Sequence, residues 1–220
     1  MVLNCRQSKL IICVLLAVAA FAFAEGQKSS VYLDATVGAA YSSFLSKGDG
    51  FYLQPDLEGH EIRIDEPRTR FYGYGPAVDV KVGGAGEFFA LYFDMQLMYA
   101  SGTLEQNEYG LVKRGYTETD ESAKRFMLGM GFTAFPFKNP ESLMHGSFVG
   151  LTLGIMAVSS DFDEQGVGVS LEFGKLWTLN KRWSVGVACI GTSDAPIRFG
   201  EDIPGYYFYT VWFGVKLVRR

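Results

Sequence analysis

The chain of 220 residues has little cysteine and less histidine. Two of its three cysteines lie in the first 24 residues, so Cys189 is the only cysteine in the remainder. An intrachain disulfide is therefore excluded for residues 25–220. The two histidines, His60 and His145, are far apart in the sequence and show no zinc-ligand spacing. Backbone hydrogen bonding and packing must hold such a domain together.

Long hydrophobic runs are also scarce. The longest, residues 10–23, has about 14 residues, which is fewer than the roughly 20 that a transmembrane helix needs. Basic residues precede this run, and Ala-Phe-Ala at residues 22–24 supplies small side chains for cleavage. We therefore expect residues 1–24 to be a cleaved secretory signal peptide and residues 25–220 to form one domain.

An excess of positive charge is missing as well. The chain has 20 Lys and Arg against 24 Asp and Glu, a formal net charge of −4. Without a basic stripe, a nucleic-acid partner is not expected. The sequence also lacks a Gly-rich phosphate loop and a nucleophile elbow, so we predict no cofactor, no metal and no catalytic residues.

What the sequence does contain is alternation. Residues 207–217 carry aromatic and aliphatic side chains at odd positions, with Thr210, Gly214 and Lys216 among the even ones. A period of two is typical of a strand with two different faces. Eight segments show this pattern, and most have the length that a tilted strand needs to cross a bilayer: Val31–Tyr41, Phe71–Val82, Phe88–Tyr99, Arg125–Ala134, Ser147–Val158, Val167–Leu179, Trp183–Gly191 and Tyr206–Val218.

The connections between these segments alternate in length. Those after strands two, four and six are short, whereas residues 42–70, 100–124, 159–166 and 192–205 form mostly longer polar loops. This pattern is typical of outer-membrane barrels. It predicts an all-β fold, an eight-stranded antiparallel up-and-down transmembrane β-barrel, with both termini on the periplasmic side.

The composition of the two faces indicates which one meets lipid. In strand five, Val149, Leu153 and Ile155 share one face, whereas Gly150 and Thr152 share the other. A soluble ligand-carrying barrel, with its apolar face inward, would carry many charges outside. The small residues opposite the apolar face instead suit a narrow lumen, and the aromatics gather near strand ends as in membrane girdles. Lipid outside is therefore favoured.

Most charges within the strands fall on the inward face. An isolated buried charge costs several kcal/mol, so we expect the three cations to pair with the carboxylates and to plug the lumen. A gated proton or ion path is the alternative. Lys175 is an exception on the lipid face, where it reaches the interface or marks a bulge at Gly174. The predicted lumen network comprises Asp34, Asp79, Lys81, Asp94, Arg125, Glu172 and Lys216.

With this layout the chain resembles the small eight-stranded outer-membrane β-barrel family, such as the membrane domain of outer membrane protein A and outer membrane protein X. The resemblance covers residues 25–220 and rests on strand layout, not on a motif. It implies a bacterial outer-membrane location, with membrane lipid, lipopolysaccharide and the barrel-assembly machinery as partners. Members usually end in an aromatic residue, whereas this chain ends in Arg219 and Arg220.

Some small barrels are enzymes, so catalytic candidates matter. His145 and Ser147 have the spacing of the His-x-Ser pair of lipid A deacylases, but they fall at the predicted periplasmic end, away from the outer leaflet. His60 lies in an acidic loop, where a solvated surface is the simpler explanation. We therefore expect no enzymatic activity.

The loops carry the remaining functional signal. Acidic residues outnumber basic ones in them. Aromatic and aliphatic residues of the first loop, Phe44, Phe51, Tyr52 and Leu53, either form a contact surface or pack on the loop itself. The sequence thus predicts a structural or surface-interaction protein that presents acidic loops to an unknown ligand. The alternatives are a narrow channel or transporter and, third, a lipid-A-modifying enzyme.

Overall fold

The computed structural model describes residues 30–46, 51–55, 61–109, 114–137, 139, 141–159, 164–196 and 206–220. No helix in these ranges is long and apolar enough to cross a membrane. The strands are β1 (Ser30–Ser46), β2 (Phe51–Pro55), β3 (Glu61–Ala85), β4 (Phe89–Tyr109), β5 (Arg114–Ala134), β6 (Ser147–Ser159), β7 (Glu164–Thr178), β8 (Trp183–Pro196) and β9 (Tyr206–Arg219).

Eight of these strands close into a barrel. From β3 to β9, each strand pairs antiparallel with its neighbour along the chain. β1 closes the ring because it pairs with β3 on one side and β9 on the other. β2 pairs only with β3 and lies outside the ring. A closed ladder leaves no free edge in the wall, and the predicted eight-stranded antiparallel barrel is confirmed.

The barrel is apolar outside and polar inside. Leu153, at the middle of β6, is 57% exposed, whereas Lys81 on the inner face of β3 is 2% exposed. This is the reverse of a water-soluble barrel, and it agrees with the predicted faces of strand five. Large apolar side chains cover the exterior of the wall, among them Phe93, Leu97, Leu128, Ile155, Phe173, Val187, Phe213 and Val215.

The two ends of the barrel differ in their connections. Short turns join β3 to β4, β5 to β6 and β7 to β8 at the end where β1 begins and β9 finishes, here called the inner end. Gly146, just before β6, has a φ of 79°, a conformation that favours glycine. A Cβ there would lie 2.1 Å from the carbonyl oxygen of Leu176. Both the positive φ and this close contact therefore require glycine at residue 146.

At the outer end the structure corrects the predicted loops. β3, β4 and β5 have 25, 21 and 21 residues, whereas β6 to β9 have 13 to 15. Residues 42–70 and 100–124, expected to be loops, are largely strand. Their lipid-facing alternation stops where the membrane would stop. The strands continue because hairpin partners satisfy each other's backbone groups in water as well.

The long strands form a projecting sheet, which consists of residues 51–55, 61–68, 100–109 and 114–123. β5 pairs with β6 only as far as Lys124 opposite Ser159, so its residues 114–123 extend past β6. At about 3.3 Å per residue, ten residues correspond to roughly 33 Å measured along the strand. The barrel therefore carries an asymmetric extension above one side of its outer end.

Candidate functional site: the charged lumen

The seven charged residues predicted for the lumen are all buried inside the barrel. They come from six different strands, and none is more than 3% exposed. The strand period of two places them there, because each shares its parity with inward-facing neighbours. They are Asp34 on β1, Asp79 and Lys81 on β3, Asp94 on β4, Arg125 on β5, Glu172 on β7 and Lys216 on β9.

Five of these residues form an inner cluster: Asp34, Asp79, Lys81, Glu172 and Lys216. Glu172 is its centre, because one carboxylate oxygen pairs with Lys81 and the other lies 2.5 Å from the Lys216 ammonium. Lys81 also lies 3.0 Å from Asp79, and Lys216 pairs with Asp34. Each ammonium thus has two carboxylate partners.

The pair between Lys81 and Glu172 spans the lumen. In the ring of eight strands, β3 and β7 are four strands apart in either direction. A side chain on β3 that contacts one on β7 therefore reaches across the full interior. An eight-stranded barrel has an interior just wide enough for side chains to fill, so this contact divides the lumen into an inner and an outer part.

Aromatic rings surround the inner cluster. The Lys81 ammonium lies 5.1 Å from the centre of the Tyr92 ring, and the Lys216 ammonium 5.0 Å from that of Phe148. Tyr32 stacks on Tyr92 at 5.7 Å, and its hydroxyl donates to Asp34 at 2.7 Å. Ring faces attract cations and exclude water. The two ammonium groups are thus bordered by aromatic rings as well as paired with carboxylates.

A second, outer cluster centres on Arg125. Its guanidinium makes a bidentate pair with Asp194 of β8, at 2.5 Å and 2.8 Å, a strong geometry for this pair of groups. It also donates to the Gln96 side-chain oxygen at 3.3 Å. The Gln96 amide donates to Asp94 at 3.1 Å, and the Thr152 hydroxyl donates to Asp94 at 2.7 Å. This chain of bonds leads from β8 across to β6.

Asp194 is a lumen residue that the sequence pattern does not predict. The sequence predicts an outer loop at residues 192–205, whereas β8 continues to Pro196 and Asp194 is fully buried. A signal for it existed. Ser184, Ala188 and Ile190 face inward, and Asp194 keeps their parity. The small and polar residues from Thr192 onward predict a loop, although inward positions of a polar lumen have the same composition.

The predicted loop contact residues fall into two groups. Phe44 is 8% exposed and lies on the inward side of β1, opposite Phe71 of β3 and Phe208 of β9, which are also buried. It is therefore part of the outer lumen wall and not of an exposed loop, because the alternation of β1 continues past Tyr41. Phe51, Tyr52 and Leu53 lie on β2, for which the structure describes only the backbone.

The two catalytic candidates that the structure describes both lie at the inner end of the barrel. His145 lies in the inner turn between β5 and β6, where its backbone N–H donates to the Ser142 carbonyl at 2.9 Å. Ser147 begins β6 at the same inner end. His60 lies outside the described residues. No group of three or more potential metal ligands occurs among the residues that the structure describes.

Two cations at the inner end are held locally. The Lys175 ammonium donates to the Leu143 carbonyl at 2.7 Å, and the β6–β7 register runs without a bulge at Gly174. Lys175 therefore reaches the interface, the first of the two predicted explanations. The Arg220 guanidinium lies 4.4 Å from the centre of the Phe135 ring. Burial lowers the pKa of Arg220 from its usual range, and nearby Tyr32 opposes this shift.

No protein-family model matches the sequence, and no curated protein matches it. Among solved structures, the barrel is similar to Neisserial surface protein A, with 12% identity and a TM-score of 0.44 over 86% of this chain and 98% of that one. The outer membrane protease OmpT of Escherichia coli is 8% identical, with a TM-score of 0.39 over 88% of this chain and 97% of that one. The attachment invasion locus protein Ail of Yersinia pestis is 10% identical, with a TM-score of 0.35 over 83% of this chain and 97% of that one. These likenesses concern barrel architecture alone.

Proposed function

We propose that the protein is a bacterial outer-membrane barrel, exported through a cleaved signal peptide, that has a structural or surface-interaction role. The observation that carries this proposal is the pair between Lys81 and Glu172, which crosses the lumen between opposite strands. A barrel that fills its interior with its own ion pairs acts as a rigid anchor. This favours an anchor over the alternative of a narrow channel or transporter.

The projecting sheet is the part of this anchor that meets the outside. Its acidic residues outnumber its basic ones, and Asp120 on β5 is exposed. The sheet is tied to the wall, since the Tyr72 hydroxyl donates to Glu105 at 3.1 Å. Surface elements on a rigid scaffold commonly carry binding function. We assign to it the contact with lipopolysaccharide and with a surface ligand whose identity the residues do not define.

Catalysis has no support in the placement of the candidate residues. A lipid-A-modifying enzyme acts in the outer leaflet, whereas His145 and Ser147 lie at the inner end. The buried carboxylates of Asp34, Asp79 and Glu172 are paired with cations inside the lumen, away from the lipid-facing exterior. We therefore propose an interaction protein without catalytic activity.

Cysteine labelling in intact Gram-negative cells tests this arrangement. Cys189, the only cysteine of the described residues, is first replaced by alanine. Asp120→Cys on the projecting sheet should then react with a membrane-impermeant maleimide on intact cells. The matched variant Glu141→Cys, in an exposed inner turn, should react only after the outer membrane is permeabilised. Labelling of Glu141→Cys on intact cells, or protection of Asp120→Cys, would contradict the proposal.

A further inference from the structure

The inner end of the barrel carries a compact group of cations. Lys181 and Arg182 form the turn between β7 and β8, and Arg219 is the last residue of β9. Arg219 lies directly opposite Trp183 in the β8–β9 register, so the turn and the strand end are adjacent. We call Lys181, Arg182 and Arg219 the basic rim.

The basic rim is held in a fixed shape. The Asn180 side-chain oxygen accepts bonds from the backbone N–H groups of Arg182 at 2.9 Å and Trp183 at 3.0 Å. The backbone N–H of Arg220 donates to the Arg182 carbonyl at 3.1 Å and ties the chain end to this turn. A preorganised group of this kind binds a ligand at a lower entropic cost.

No carboxylate among the described residues pairs with the basic rim. The two described acidic residues at this end, Glu87 and Glu141, belong to the other two turns, on either side of the rim along the ring. Arg220 does not belong to the rim, because its guanidinium lies over Phe135 inside the barrel. Among the described residues the rim therefore has no acidic partner, whereas Lys81, Arg125 and Lys216 of the lumen are each paired with a carboxylate.

The position of the rim relative to the apolar surface sets its depth. On β9, Val215 and Leu217 face outward and are well exposed, and Arg219 follows two residues later on the same side, about 7 Å along the strand. On β7, Trp177 is also exposed on this face. Tryptophan next to a band of aliphatic side chains marks the membrane interface. The basic rim therefore lies at the depth of inner-leaflet headgroups.

We infer that the basic rim, with Trp177 and Trp183, is a binding site for the phosphate headgroup of an anionic phospholipid of the inner leaflet. Charge and depth select this ligand, because basic residues at the membrane surface attract anionic headgroups. The acyl chains would lie along the exposed aliphatic side chains of β9 below Arg219. The inference assumes that the barrel is inserted in a membrane and goes beyond the surface role of the outer end.

Tryptophan fluorescence gives a local readout. The protein has three tryptophans. Trp177 is exposed at the site, and Trp183 lies opposite Arg219 in the β8–β9 register. Trp212 is 3% exposed inside the barrel, so its fluorescence should be a constant background. In phosphatidylcholine vesicles, a minor fraction of brominated phosphatidylglycerol should quench this fluorescence more than the same fraction of brominated phosphatidylcholine. Arg182→Gln/Arg219→Gln should lower this preference by about fivefold or more.

The control removes two cations from the other end. Arg70→Gln/Lys124→Gln should keep the wild-type preference, and Arg182→Gln alone, which changes only an exposed side chain, should show a partial loss even if the double variant folds poorly. Equal quenching by the two brominated lipids in the wild type would overturn the inference. It would also be overturned if the outer control lost as much of the preference for phosphatidylglycerol as the rim variant. Loss of peptidoglycan co-sedimentation in the rim variant with unchanged lipid preference would also overturn it. Failure of the wild type to insert into vesicles would instead refute the membrane proposal itself.

Discussion

Replacing Leu153 with arginine is expected to destabilise the membrane-inserted barrel by about 2–4 kcal/mol. Leu153 lies at the middle of β6, 57% exposed, between Met130 of β5 and Val169 of β7. If this side chain faces the hydrocarbon core, a guanidinium there loses its hydration without gaining a partner. Urea titration in lipid vesicles, read by heat-modifiable migration on gels, measures the free energy of unfolding.

The matched control is Ser159→Arg. Ser159 is the last residue of the same strand, shares the outward parity of Leu153 and is exposed at the outer end. Near the interface the same substitution should cost only about 0–1 kcal/mol. If both variants lost the same free energy, or if neither lost any, the assignment of the barrel exterior to lipid would be wrong.

The second large effect is expected inside the lumen. Glu172→Gln should lower the free energy of unfolding by about 3–5 kcal/mol, because it leaves two buried ammonium groups, those of Lys81 and Lys216, short of a counter-charge. The side chain keeps its size, so the loss arises from charge and not from a cavity. Glu141→Gln, in an exposed inner turn, serves as the control and should be close to wild type.

A compensating variant separates an ion-pair effect from general damage. Glu172→Gln/Lys216→Met removes one carboxylate and one of its cations together, and should be less destabilised than the sum of the two single variants. The same urea titration applies. Strictly additive losses would show that the pair does not interact in the folded barrel.

Which residues face the lumen could be predicted from the sequence, whereas their partners could not. Parity alone placed Asp34, Lys81 and Glu172 on the inward face, because a strand has only two faces. That Lys81 meets Glu172, 91 positions later, depends on barrel closure, which sets β3 opposite β7. Closure and shear are properties of the whole ladder, and local patterns contain no information about them.

The ends of the strands were the weakest part of the prediction. In the membrane, the lipid-facing side of a strand must be apolar, so its alternation is plain. Beyond the membrane that constraint disappears, yet the backbone pairing between β4 and β5 continues to Tyr109 opposite Arg114. The polar composition of residues 100–124 therefore predicts a loop, where the structure has strand. Asp194 escapes the prediction for a related reason, since inward positions of a charged lumen are as polar as a loop.

The last two arginines of the sequence have different surroundings. The expected aromatic last residue is absent, but Arg219 belongs to the basic rim and the Arg220 guanidinium lies over Phe135 within the inner mouth. Both arginines thus make use of their positions at the end of β9.

If the barrel is an anchor whose lumen is filled by its own paired charges, the purified protein should not conduct ions in planar bilayers. With insertion verified, we expect the wild type to give no reproducible open steps, because the pair of Lys81 and Glu172 and the pair of Arg125 and Asp194 each bridge the interior. Reproducible open steps from the wild type would contradict this expectation and would favour a channel.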